Sequence, residues 1–197
     1  MAHRRARVER TTRETTVEVE LDLDGGGRHE SSTGVGFLDH MLDLLAKHSL
    51  FDLSVRASGD LQTDQHHTVE DVGIALGRAL EKALGDRAGI RRFGSASVPM
   101  EEALADVAVD LSGRSALVFE VDFRAEKTGD FDTVLVEEFL NALSANGRFN
   151  LHVRVPHGRN AHHIAEAIFK ALAVALRAAV EIDPRREDVP STKGTLE

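Results

Sequence analysis

The stretch HHTVE at residues 66–70 returns as HHIAE at residues 162–166, so His66, His67 and Glu70 recur as His162, His163 and Glu166 after 96 positions. Successive side chains on a helix lie about 100° apart, which puts the first His and the Glu of each copy on one face and the second His on a neighbouring one. Each copy could therefore serve two cations at once. An imidazole pair with a carboxylate, in a chain with no cysteine, is the ligand set of a catalytic divalent metal that keeps open positions. A single copy reads as well as a solvated first helical turn. Two copies in register, each opening an apolar amphipathic helix, point to a paired metal site.

The rest of the chain repeats around these motifs. Residues 5–23 alternate in the manner of a strand, with Val17, Val19, Leu21 and Leu23 on one face, before Gly25–Gly27 make a turn. A short polar strand is predicted at residues 28–33, a helix at 37–48 with His40 and Asp43 on its polar side, and a strand at 50–57. Asp64 can cap the helix that carries HHTVE and runs to Gly85. The second half gives strands at 95–98, 103–111 with Leu104 facing inward, and 116–123. A helix follows at 133–145 with a buried stripe of Val134, Leu135, Phe139, Leu140 and Leu143, then a strand at 148–155 and a helix from Ala161 to about Val180, capped by Asn160. Three strands, helix, strand, helix, twice over, is an α/β (α+β) two-layer sandwich built by tandem duplication of a βββαβα unit. The expected divisions are 1–90, 91–185 and a C-terminal tail at 186–197. Aligning residues 37–53 with 135–151 sets Phe51 over Phe149 and His40 over Glu138, one possible ligand over another.

Composition narrows the function. A net charge of −9, from 33 acidic and 24 basic residues, argues against a nucleic-acid or membrane-surface binder. The basic run His3, Arg4, Arg5, Arg7 is too short to reverse that and reads as a solvated end. With no cysteine, no apolar run of about 18 residues and no signal-peptide pattern, a cytoplasmic protein is expected.

Together GFLDHMLDLLAKHSLFDL from Gly36, DQHHTVED from Asp64, RFG at Arg92, DLSGR ending at Arg114 and NAHHIAEAIFKALAVALR from Asn160 resemble the imidazoleglycerol-phosphate dehydratase family of histidine biosynthesis. The resemblance covers roughly residues 8–195. It implies two ribosomal-S5-domain-2-like units, two Mn2+ (or other divalent ions) per active site, and 24 identical subunits with active sites between them. Metal ligands carry over to His40, His66, His67, Glu70, Glu138, His162, His163 and Glu166. Glu138 departs from members that have His there.

The implied reaction is a hydro-lyase step, loss of water from D-erythro-imidazole glycerol phosphate to give imidazole acetol phosphate. The hydrogen to be removed sits on carbon with no carbonyl beside it, so the substrate's imidazole must be the electron sink, through a metal-bound imidazolate and a diazafulvene-like species. Glu166, Glu70 and Glu14 are the candidate proton-handling residues, Glu14 by its match to a substrate-contacting glutamate of the family. The resemblance further implies substrate contacts at His40, His48 and His66, and a phosphate held by Arg92, Arg114, Lys170, Lys193 and Ser191, with the tail ordering over substrate as a lid. Taken without the family, Glu14 is an exposed strand carboxylate and Lys170 an ordinary helix lysine. Two other readings of paired metals remain open at this point: a dinuclear hydrolase, against which the lack of an Asp-rich bridging motif counts, and a metal-storage or structural cage, which leaves Arg92, Arg114 and Lys193 without a role.

Overall fold

The computed structural model describes residues 4–196. The first alternating run is two strands, β1 (Arg5–Thr11) and β2 (Thr15–Asp22), because the chain turns back at residues 12–14. The Thr12 hydroxyl accepts from the backbone N–H of Glu14 at 3.1 Å and of Thr15 at 3.0 Å, a local bond that competes with continuing the strand. There follow β3 (His29–Ser32), α1 (Gly36–Ser49), β4 (Asp52–Gly59) and α2 (His66–Leu84). The second unit is β5 (Phe93–Met100), β6 (Ala103–Asp110), β7 (Ala116–Glu120), a small hairpin β8 (Lys127–Thr128) and β9 (Phe131–Asp132), then α3 (Val134–Gly147), β10 (Asn150–His157) and α4 (Ala161–Val180).

The duplication appears in the strand order. One sheet runs β1-β2-β4-β3 and the other β5-β6-β10-β7. In each, the last pair is parallel and the others antiparallel. Each unit is therefore a sheet covered by helices. The helices of the two units also pack on each other, α2 against α3 and α1 against α4, so the first helix of each unit meets the motif-bearing helix of the other. One continuous apolar core results, with Phe139 and Phe149 both fully buried. Truncating either to Ala would cost about 3–5 kcal/mol.

The α2–α3 crossing is set by two glycines. A Cβ at Gly73 would lie 2.8 Å from the Phe139 carbonyl oxygen, and one at Gly77 would lie 2.6 Å from that of Leu143. Only hydrogen fits there, so α2 lies close on α3.

Several sequence expectations change. Leu104 is on the outer face of β6, because the buried alternation falls on Ala103, Ala105, Val107 and Val109. Val134 is the first residue of α3 and is 59% exposed, because its face of the helix points outward while Leu135 and Val136 beside it take the core. Leu50 and Arg148 do not start β4 and β10. Both take left-handed backbone angles that end the preceding helix, and the strands begin two residues later. Arg5 and Arg7 belong to β1 and are paired, Arg5 with Asp22 at 2.5 Å and Arg7 with Glu18 at 2.6 Å, while Arg4 pairs with Asp24. His3 lies outside the described residues. Among the described residues no helix is long and apolar enough to cross a membrane.

Candidate metal centre and substrate cleft

Both motifs open their helices in the same way. The Asp64 carboxylate accepts from the His66 N–H at 2.8 Å, and the Asn160 side-chain oxygen accepts from the His162 N–H at 2.9 Å. Asn160 is the N-cap of α4, whereas Asp64 lies one residue before Gln65, the N-cap of α2; each bond still satisfies one orphan donor of the first turn. The imidazole pairs then match closely: His66 and His67 have ring centroids 6.2 Å apart at 89°, as do His162 and His163.

At α4 the i, i+4 geometry is realised. His162 Nε2 is 3.1 Å from Glu166 Oε2, and His40, from α1 of the other unit, brings its Nε2 within 3.7 Å of the same oxygen. Ligand atoms of His40, His162 and Glu166 lie within 4.8 Å of one another, which suits one divalent cation with room for further ligands. Phe37 presents its ring edge-on to His162, with centroids 5.3 Å apart, and fixes one side of the imidazole. Glu166 is 7% exposed, and its other oxygen, Oε1, is 2.5 Å from the Lys170 ammonium. Burial pushes the Glu166 carboxyl up, but the Lys170 hydrogen bond and charge, with His162 and His40 adding to them, bring it below the ordinary carboxylate value. On α1, burial and the Lys170 charge shift the His48 pKa down.

His66, Glu70 and Glu138 form no second triplet of this kind: among the described residues only His40, His162 and Glu166 converge so closely. The second histidine of each motif points elsewhere. His67 Nδ1 is 3.0 Å from Asp60 Oδ2, with Glu14 at 3.8 Å, and His163 Nδ1 is 2.7 Å from Glu102 Oε2. The Asp60 hydrogen bond raises the His67 pKa. Glu102 is held down at about 2 by the Asn160 N–H and by His163.

Arg92, Arg114, Ser191 and Lys193 line a common cleft of about 560 Å³ together with Arg186. Lys170 is not among its walls and sits with Glu166 instead. Arg92 holds Asp110 through a two-pronged contact, at 2.7 and 3.0 Å, donates to the Pro190 carbonyl at 2.9 Å, and stacks over Phe93. Its guanidinium thus ties the tail to β6. Arg87, 3% exposed, donates to the Leu196 carbonyl at 3.3 Å and anchors the tail's far end. The tail is docked by backbone carbonyls, which composition does not announce. The open concavities on the outer sheet faces, about 550 and 500 Å³, include none of the motif residues.

Asp60, Glu102, Phe37 and Arg87 were not singled out from the sequence. Asp60 is one of two acids just before HHTVE, and only the alignment of the two β-hairpins would have set Glu102 opposite Glu14.

Comparison with known proteins fits this geometry. The family model for imidazoleglycerol-phosphate dehydratase matches residues 33–176. The chain is 63% identical over 194 residues to the imidazoleglycerol-phosphate dehydratase of Paracoccus denitrificans, covering 98% of this chain and 100% of that one. It is 61% identical over 196 residues to that of Desulforudis audaxviator, covering 100% of both. Among solved structures, it is similar to the Staphylococcus aureus enzyme of that name, with a TM-score of 0.83 at 40% identity and coverage of 91% and 99%. The structure of IGPD from Pyrococcus furiosus gives a TM-score of 0.84 at 39% identity, with coverage of 96% and 100%.

Proposed function

The chain belongs to the imidazoleglycerol-phosphate dehydratase family, hydro-lyases of histidine biosynthesis, and from that premise we propose that it dehydrates D-erythro-imidazole glycerol phosphate to imidazole acetol phosphate in a divalent-metal-dependent reaction. The observation that carries the metal dependence is the convergence of His40, His162 and Glu166 from opposite halves of the chain. Two ions per site, Mn2+ or another divalent metal, are part of the reading. His66, His67, Glu70, Glu138 and His163 supply the remaining ligands. Because these residues do not close a second triplet within one chain, the reading places the sites between subunits of a 24-copy assembly. The units at 1–90 and 91–185 act as one scaffold, and the tail at 186–197 closes on substrate. A cytoplasmic site of action goes with a biosynthetic intermediate of this kind.

Bound divalent cations would stabilise negative charge on the substrate's imidazole nitrogens. The chain's own residues do the rest. Departure of the hydroxyl next to the ring, as water once protonated, leaves a diazafulvene-like species. Loss of the neighbouring C–H proton gives the enol, and tautomerisation returns a proton to carbon and yields the ketone. Glu166 is the proton-handling group: its depressed pKa leaves it ionised at neutral pH, and Lys170 beside Oε1 steadies that charge. Glu70 and Glu14 are the further acid–base candidates, and His40, His48 and His66 border the imidazole. Arg92, Arg114, Ser191 and Lys193 recognise the phosphate dianion in their common cleft, and Lys170, outside that cleft beside Glu166, is a further phosphate contact by its likeness to the family alone. Glu166→Gln tests the assignment. The expected outcome is a loss of turnover of at least about 100-fold with the fold retained, in line with removing a general acid–base group. Turnover within a few-fold of wild type would refute it.

A further inference from the structure

Two carboxylates stand behind the motif histidines that point away from the triplet. Asp60 Oδ2 is 3.0 Å from His67 Nδ1, and Glu102 Oε2 is 2.7 Å from His163 Nδ1. An ionised carboxylate only accepts, so in the neutral form of each ring the proton sits on Nδ1 and Nε2 keeps its lone pair. That tautomer is the one a cation needs from Nε2.

The two carboxylates come from places that are not equivalent under the duplication. In the first unit Arg5 pairs with Asp22 and Thr11 with Thr16; in the second Phe93 pairs with Asp110 and Pro99 with Leu104. One constant offset superimposes these registers and makes Glu102 the counterpart of Glu14. The next strands agree, since Asp22 pairs with Asp52 and Asp110 with Asn150. Past the register shift between Arg154 and His157, which adds one residue to β10, Gly158 matches Gly59, and the position that Asp60 holds in the first unit is taken by Arg159. The second unit thus has an arginine, not a carboxylate, at that position. Glu102 fills the role instead. Its Oε1 accepts from the N–H groups of Arg159 at 3.0 Å and Asn160 at 2.8 Å, while Oε2 takes His163. In the first unit Asp60 already holds His67 Nδ1, and Glu14 stays 3.8 Å away from it.

We propose that Asp60 and Glu102 are positioning residues that lock His67 and His163 in the Nδ1-protonated tautomer and aim each Nε2 at a divalent cation, and that Asp60, by taking this task, leaves Glu14 free for substrate while its counterpart Glu102 is committed. The inference rests on the metal-dependent reading above. It explains why one pair of equivalent hairpin carboxylates has two different uses. A carboxylate behind a ligating histidine orients the ring and raises its basicity, and its removal typically lowers metal affinity by about 10–100-fold.

The test is titration of metal-free full-length protein with Mn2+, reading free ion by electron paramagnetic resonance, for wild type, Asp60→Ala, Glu102→Ala and Glu14→Ala. Asp60→Ala and Glu102→Ala are each expected to weaken Mn2+ binding by about 10–100-fold, and Glu14→Ala to leave it within about twofold of wild type while abolishing turnover. The amide variants Asp60→Asn and Glu102→Gln keep an acceptor for the Nδ1 proton and are expected to fall between wild type and alanine. They carry the test where an alanine variant does not fold. Wild-type uptake of Mn2+ with unchanged affinity in the Asp60 and Glu102 variants would overturn this inference alone. An equal loss in Glu14→Ala and Glu102→Ala would overturn the division of labour. A wild-type protein that takes up no Mn2+ would overturn the metal reading, and this inference with it.

Discussion

Replacing Asp71 by Ala should loosen the hairpin that carries Glu14 without touching any proposed ligand. Asp71 sits on α2 immediately after Glu70, and its side chain is 8% exposed. It accepts from Arg10 Nε at 3.0 Å and Nη2 at 2.8 Å, and from the Thr15 hydroxyl, so it fastens both strands of the β1–β2 hairpin to the HHTVE helix. Hydrogen bonds to a charged group contribute about 1.5–3 kcal/mol each, and stranding a fully buried charge costs about 3–5 kcal/mol. Arg10 keeps 25% of its side-chain surface in solvent, so water can replace part of what it loses. We expect a net loss of about 2–3 kcal/mol, equivalent to about 5–10 °C in Tm for a chain of this size. The chain has no Trp or Tyr, so far-UV circular dichroism at fixed protein and metal concentration is the suitable assay. Thr15 follows Glu14 directly, so KM should rise in the same variant. The reasoning fails if Tm moves by less than about 2 °C, or if Arg10→Met and Asp71→Ala add within about 0.5 kcal/mol in the double variant, since partners in one network should couple.

If, as proposed, metal ions are shared between subunits, chelation should release smaller oligomers as well as stop turnover, because ligands from different chains would lose their common partner; light scattering that finds a large assembly intact with its metal gone would contradict this. Asp52 gives a pH signature. Hydrogen bonds from Arg28, at 2.8 Å from Nε, and from the N–H groups of Gly26 and Arg28 hold its pKa well below the usual carboxylate value. A depressed carboxylate stabilises the fold above its unfolded pKa and loses that contribution as pH falls through the folded one, so the contribution should fade below about pH 4. Asp52→Asn should flatten that part of an acid-unfolding curve, and an unchanged curve would count against it. Gly77→Ala should destabilise by about 1–2 kcal/mol: overpacking against the α3 backbone costs about 1–3 kcal/mol, of which the gain in helix propensity returns up to about 1. A rise in Tm would mean that α2 and α3 can separate at no cost.

The βββαβα duplication was legible because alternation and helical periodicity are local. The Asn160 cap and the extents of α2 and α4 follow from residues next to each other in the chain. Leu104 departs from its expected place because in the run ALADVAVD the small Ala side chains take the buried face, whereas apolarity alone points to Leu. At the site, His162 and Glu166 could be placed on one face from their spacing, and His40 from its alignment with the other unit. What could not be read was which helices meet across the duplication. That crossing brings His40 to HHIAE, and it depends on packing between residues far apart in sequence. Glu102 and Asp60 were hidden by the same distance, and by loops of unequal length before the two motifs, which break the register that makes Glu102 the counterpart of Glu14.

The most direct test of metal-dependent dehydration is conversion of imidazole glycerol phosphate by metal-stripped protein, with and without added Mn2+, following the enolised ketone product in alkali. Product that forms only when Mn2+ is restored is the predicted result. No product from protein fully loaded with Mn2+ would contradict the dehydratase reading, and product formed at the full rate by stripped protein would contradict the role of the metal.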